Sequence, residues 1–225
     1  MNAHNFTGPH LIGIDVSHWD DQIDWAEVLA GLPGPNKEPI SFAIIKATQG
    51  VGGTDPMFAH HSAVTHASGL PRGAYLFFMP GQSGTAQVEH FLSVARPQPG
   101  DIRPSLDIET EPTGPISAFV AEVEAAIMAL KHATGLYPFV YTYVPFYEQY
   151  LKSSAIVRGC PTWLAGYGSC LMHNYKADIW QYTDAAPVPG VAKAGVDMNV
   201  FYGTKADLAK HRIPARPVTA VQVSG

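Results

Sequence analysis

Residues 104–111 read P-S-L-D-I-E-T-E, with two carboxylates separated by a single residue. If residues 105–109 form a β-strand, side chains alternate with period two, so Ser105, Asp107 and Glu109 share one face and Leu106 and Ile108 the other. Like charges held close push one pKa upward, and one proton then stays on near neutral pH. A protonated carboxylic acid beside an ionised one is the equipment for cleaving a glycosidic bond. An isolated D-x-E is more often a solvated, idle pair on an edge strand. Here further acids sit in similar apolar settings: Asp15 in L-I-G-I-D-V-S and Asp197 in V-D-M-N-V.

The elements that must position these acids follow from periodicity and turn signals. Alternating or continuous apolar runs predict strands over residues 11–17, 41–47, 72–78, 105–109, 137–143, 162–167, 177–182 and 196–200. Helices are expected over residues 24–30, 55–68, 85–95, 115–134 and 145–152, with Asp24 and the Asp55-Pro56 pair as start signals and Gly69 and Gly135 as stops. The first four strand-to-strand intervals are each close to the roughly 30 residues that a strand, a crossover helix and two loops require. The fifth interval is shorter, and the last two are too short for a helix and suit hairpin-like links. A modified TIM-like barrel follows, in which chemistry sits at the C-terminal strand ends. Asp15, Asp107, Glu109 and Asp197 are all read as falling late in their strands. Closure would make the first and last strands neighbours and bring Asp15 next to Asp197. An open doubly wound sheet is disfavoured, because no glycine-rich phosphate loop follows the first strand. Trp19, Tyr75, Phe77, Tyr141, Tyr143, Trp163, Tyr167 and Trp180 fall at similar heights. An acidic cleft lined with rings suits sugars, although any one of these rings taken singly is better explained as core.

Composition bounds the rest. The chain has 225 residues, 46% hydrophobic and 15% charged, enough for one large α/β domain with a sizeable core. The net charge is -5 with no basic run, which argues against nucleic acid as a partner. No apolar run reaches transmembrane length. The first ten residues lack the features of a secretory signal, so synthesis in a cytoplasm is expected. Cys160 and Cys170 are read as reduced thiols, although a disulfide is possible. No metal or cofactor is expected: His60, His61 and His66 are not spaced to face one ligand and are read as a solvated helix face, and His18 and His173 stand isolated.

Seven motifs run in a recognisable order: G-I-D-V-S-H-W from Gly13, I-K-A-T-Q-G from Ile45, R-G-A-Y from Arg72, L-D-I-E from Leu106, Y-P-F-V-Y-T from Tyr137, W-Q-Y-T from Trp180 and V-D-M-N-V-F from Val196. Together they resemble the glycoside hydrolase family 25 lysozymes, the Chalaropsis-type N-acetylmuramidases, over about residues 11–205. The resemblance implies a single (β/α)5(β)3 barrel, preceded by a lead-in over residues 1–10 and followed by a tail over residues 206–225. It implies hydrolysis of the β-1,4 bond between N-acetylmuramic acid and N-acetylglucosamine in bacterial peptidoglycan. Glu109 matches the proton donor, Asp107 its partner acid, and Asp15 and Asp197 the two further acids. Tyr75, Tyr141, Gln49, Trp163, Tyr167, Trp180 and Gln181 are expected to contact substrate. Two departures are visible: Gln49 stands where the family often has Glu, and Leu76-Phe77 where it often has His-Phe. With Met1 and no signal peptide, the chain looks like a phage endolysin, monomeric, made in the host cytoplasm and acting on the wall; a bacterial cytosolic or non-classically exported enzyme is the alternative. A chitinase-like hydrolase is the rival enzyme, but its longer acidic pattern matches here only at Asp107 and Glu109. A non-catalytic wall-glycan binder is the rival outside enzymes.

Overall fold

The computed structural model describes residues 6, 8–20, 22–167, 175–192 and 195–215. Nine strands make one sheet: β1 His10–Val16, β2 Ile40–Gln49, β3 Gly53–Thr54, β4 Arg72–Phe77, β5 Ser105–Asp107, β6 Phe139–Tyr143, β7 Thr162–Ala165, β8 Ile179–Ala186 and β9 Val196–Tyr202. Their spatial order is β1-β9-β8-β7-β6-β5-β4-β2-β3, and a parallel β1–β2 pairing closes eight of them into a barrel, with β3 as an extra flap on β2. The expected (β/α)5(β)3 arrangement is the one observed.

Alternation along each strand builds two cores. Phe42, Ile44, Phe139, Ile179 and Phe201 point inward and fill the barrel. Ile14, Ile45, Leu106, Val140 and Val200 point outward to the helices α1 Trp25–Ala30, α2 Phe58–Ala67, α3 Gly84–Ala95 and α4 Ile116–Thr134. Asp24 caps α1 by accepting from the Ala26 and Glu27 amides, and Gly135 ends α4 in the left-handed conformation. None of the described helices is long and apolar enough to cross a membrane.

Three expectations are corrected, and the tail and Cys160 are located. The helix expected from Asp55 begins at Phe58, because the Asp55 carboxylate is turned to His18 as well as to the Met57 amide. β7 and β8 pair parallel and so do not form the expected hairpin-like link, whereas β9 pairs antiparallel with both β8 and β1. His61 is fully buried, not solvated: its Nδ1 accepts from the Trp25 indole, and burial lowers its pKa to about 4. The segment from residue 206 packs on the barrel as far as Ile213. Leu208 joins the inner core, His211 stacks on Phe139, and Ile213 exchanges backbone hydrogen bonds with Gly100 and Asp101. Cys160 is buried, its thiol donates to the Ile156 carbonyl, and burial pushes its pKa up to about 12. Cys170, His173 and the last ten residues lie outside the described residues.

The α3–α4 contact depends on Gly84, whose amide donates to Glu122 Oε2 at 2.6 Å. A Cβ there would lie 2.0 Å from the Glu122 backbone carbonyl. Backbone cannot yield as a flexible side chain can, so Gly84→Ala must separate the two helices. The expected cost is about 1–3 kcal/mol, a fall in Tm of roughly 2–12 °C in thermal unfolding.

Candidate active site

The closed barrel gathers the acids. Asp15 sits one residue from the end of β1 and is the register partner of Asp197 on β9. Asp197 is not late in its strand as expected, but second in it; β9 runs antiparallel to β1, so its beginning lies at the same mouth. Asp107 ends β5, and Glu109 lies just beyond the strand rather than inside it. The Ile108 amide still donates to the Tyr141 carbonyl at 2.9 Å, so Glu109 continues the alternation from an anchored backbone. All four acids line one cleft of about 280 Å³, together with Tyr75, Phe77, Tyr141, Trp163 and Gln181. That volume is just below the range usual for small-molecule sites and has room for about one sugar ring.

Two buried side-chain amides organise the floor. Gln181 accepts from the Tyr141 and Tyr167 hydroxyls at 2.9 and 3.0 Å and donates to Asp15 Oδ2 at 3.0 Å. Asn199 accepts from the Trp163 indole at 2.7 Å and donates to the same Asp15 oxygen at 2.7 Å. Each amide therefore has its orientation fixed by a donor on one side and an acceptor on the other. Trp163 is thereby locked as cleft wall, edge-on to Tyr141.

Burial sets the acidities. Asp15 is raised well above the usual carboxylate range by burial and then by Asp197, against the two amide donors. Asp107 is raised likewise by burial and then by Glu109. Burial raises Glu109 too, and Lys46 opposes that rise. The two carboxyls on β5 and just past it therefore favour sharing a proton. Lys46, whose own pKa burial lowers, is the cation in the cleft, 4.5 Å above the Phe77 ring centroid. Asp107 Oδ1 is buried and has no hydrogen-bond partner among the described residues.

The remaining expected contacts separate. Tyr167 is half-exposed and reaches the site through its hydroxyl on Gln181. Gln49 does not line the cleft; it lies exposed at the tip of β2 and accepts from Lys46 Nζ at 3.0 Å. Trp180 is a correction. It follows Ile179 and precedes the inward Gln181, so period two turns it out of the barrel, where it packs in the outer core against Phe6 and donates to the Gly166 carbonyl. Sequence reasoning passed over Lys46, Asn199, Ser17 and Asp20. Asn199 was legible by alternation from Asp197, and Lys46 as a lone cation in an apolar strand.

Comparison with known proteins agrees with this geometry. The model of the family "Glycosyl hydrolases family 25" matches residues 14–191. The uncharacterized protein YegX of Escherichia coli strain K12 is 34% identical, over 87% of this chain and 71% of its own length. Lysozyme M1 of Streptomyces globisporus is 31% identical, over 87% of this chain and 69% of its own. The crystal structure of the bacterial lysozyme from Streptomyces coelicolor superposes with a TM-score of 0.79 at 28% identity, covering 92% of this chain and 98% of that one. An eight-stranded barrel with four acids at one mouth, a family match across most of the barrel and relatives above 30% identity place the chain in glycosyl hydrolase family 25.

Proposed function

We propose that this family 25 glycoside hydrolase is an N-acetylmuramidase that cuts the β-1,4 bond between N-acetylmuramic acid and N-acetylglucosamine in bacterial peptidoglycan, with Glu109 as general acid and base. The substrate class follows from the relatives named lysozyme. The observation that carries the mechanism is the pairing, in one cleft, of a half-buried Glu109, its acidity weakened by burial, with Asp107, whose buried Oδ1 has no hydrogen-bond partner among the described residues.

Glu109 protonates the leaving oxygen as the glycosidic bond breaks, then as carboxylate takes a proton from water in the second half. The attacking group is the substrate's own 2-acetamido carbonyl. Asp107 is two residues from Glu109 on the same wall, with Cα atoms roughly 6.5–7 Å apart. A carboxylate nucleophile must instead approach from the opposite face of the sugar, about 5–5.5 Å across from the acid. Side-by-side groups suit substrate assistance better. Asp107 Oδ1 accepts the acetamido N–H, orients the carbonyl towards the anomeric carbon and balances the positive charge that develops on the amide. Asp15, held by Gln181 and Asn199, and its neighbour Asp197 position the sugar from the adjoining wall.

Digestion of purified peptidoglycan is expected to release new N-acetylmuramic acid reducing ends, identified by mass spectrometry, and NMR is expected to show the β-anomer first. N-acetylglucosamine ends, or cleavage confined to chitin oligomers, would move the substrate. An α-anomer formed first would replace the acetamido nucleophile with direct attack by water. Loss of turbidity without new reducing ends would leave only a glycan binder.

A further inference from the structure

Among the described residues, Trp19 is the most exposed large apolar side chain, at 69%. Trp25, Trp163 and Trp180 are all buried. Trp19 stands on a single 3-10 turn, His18–Asp20, directly after β1, and lines the cleft mouth beside Asp15 and Asp20. An indole this open would ordinarily sample several orientations, but here the turn is held from both sides. The Ser17 amide donates to Asp20 Oδ2 at 2.9 Å, and the Trp19 amide donates to Ser17 Oγ at 3.2 Å. The His18 imidazole lies against the indole, ring centroids 4.5 Å apart.

His18 is fixed in turn. Its ring Nδ1 and its backbone amide both reach Asp55 Oδ2, at 2.7 and 3.1 Å. The Asp55 side chain is fully enclosed. Its other oxygen accepts from the Met57 amide, and its own amide donates to the Ala47 carbonyl. Asp55 thus clips the loop after β1 to the chain after β2, across the seam where those two strands close the barrel. A buried carboxylate with this many donors fixes geometry, and a pre-set ring loses little entropy on binding.

The enclosed space takes about one sugar ring, so the next rings of a polymer must lie along the open mouth. An indole face held there offers a flat apolar surface to the C–H face of a pyranose. We propose that Trp19 is a stacking platform for the glycan ring next to the enclosed sugar, and that Asp55, acting through His18, is the positioning residue that holds it. The proposal rests on the muramidase reading of the same cleft.

The test combines kinetics on a soluble tetrasaccharide of alternating N-acetylglucosamine and N-acetylmuramic acid with tryptophan fluorescence. Trp19→Ala is expected to raise KM about five- to tenfold, the scale of one aromatic contact, with kcat little changed, and Trp19→Phe to recover most of it. In wild type, the tetrasaccharide shifts the emission; in Trp19→Ala most of that shift is lost, the remainder coming from Trp163 in the cleft wall. Asp55→Asn raises KM in the wild-type background but adds nothing in the Trp19→Ala background, as coupled residues do. His18→Ala serves the same cycle where Asp55→Asn folds poorly by circular dichroism. An unchanged KM in Trp19→Ala overturns the platform while the muramidase reading stands. Additive effects of both Asp55→Asn and His18→Ala with Trp19→Ala overturn the positioning role. A wild type that neither binds nor cuts the tetrasaccharide overturns the underlying reading and the proposal with it.

Discussion

Glu109→Gln is expected to lower turnover of peptidoglycan by about 10²–10⁴-fold, the range attributed to a positioned general acid, while glycan affinity stays nearly intact. The substitution keeps the shape and the hydrogen-bonding reach of the side chain and removes its ability to give the acid proton and then to take one from water. The wild-type carboxyl holds that proton because burial raises its pKa, with Lys46 limiting the rise. The sign of the pH dependence follows. The first half-reaction requires protonated Glu109 beside ionised Asp107, so the rate declines as pH climbs through the raised Glu109 pKa and also as pH falls far enough to protonate Asp107; the Gln variant loses the alkaline limb along with the activity. A leaving group that needs no protonation isolates the role. On an aryl glycoside of the disaccharide, the gap between Glu109→Gln and wild type should narrow sharply for bond cleavage. An equal deficit on both substrates would mean that Glu109 is not the acid, and near-normal activity on peptidoglycan would move the site altogether. Steady-state kinetics on the two substrates, with calorimetric binding of the tetrasaccharide, decide between these outcomes.

The parts of this site legible in the sequence are those set by period two and by strand spacing. Intervals of about 30 residues followed by shorter ones are enough to predict the barrel, and alternation is enough to put Asp107 and Glu109 on one wall. Alternation also forbids what was expected of Trp180. Trp180 and Gln181 are adjacent on β8 and must face opposite sides, and the tyrosine hydroxyls at the mouth select Gln181 for the interior. The chemistry of the indole suits a sugar, but its phase along the strand decides which side it serves. Asp197 has the expected neighbour and the opposite strand end, because the antiparallel direction of β9 is a property of the closed sheet and not of V-D-M-N-V itself. His61 shows a different limit. Its partner is the Trp25 indole, 36 residues away, and no local pattern announces a buried imidazole that meets a hydrogen-bond donor only across two packed helices. Asp55 is similar: Asp-Pro reads locally as a helix start, and the tertiary contact with His18 takes the carboxylate for another purpose.

Asp107→Asn should separate catalysis from stability. The variant is expected to lose about 10²–10³-fold in kcat, the scale of removing one preorganised electrostatic partner of a transition state. Asn can still offer an oxygen to the acetamido N–H, so a residual rate remains above that of Glu109→Gln, but it carries no charge to balance the amide. In the folded protein, Asp107 is raised well above the usual carboxylate range by burial and then by Glu109. A group raised on folding contributes stability that is fully present below its unfolded pKa and is lost as pH rises through the folded value. At neutral pH the wild type therefore holds a buried acid at a cost, either keeping it protonated against bulk pH or ionising it in an enclosed place beside Glu109. Asn does not titrate and does not repel Glu109. Asp107→Asn should then melt higher than wild type at neutral pH, each kcal/mol recovered appearing as about 2–4 °C. The difference should shrink as pH falls toward the ordinary carboxylate range, where wild-type Asp107 is protonated in both states. Thermal unfolding of both proteins between about pH 3 and pH 8, a window spanning the ordinary and the raised carboxylate range, measures it. A Tm difference that is flat across that range, or a variant less stable at neutral pH, would mean that Asp107 is held by favourable contacts rather than against its own desolvation. The predicted slope, with a catalytically impaired protein gaining stability over wild type as pH rises, is what a carboxylate kept in place for chemistry requires.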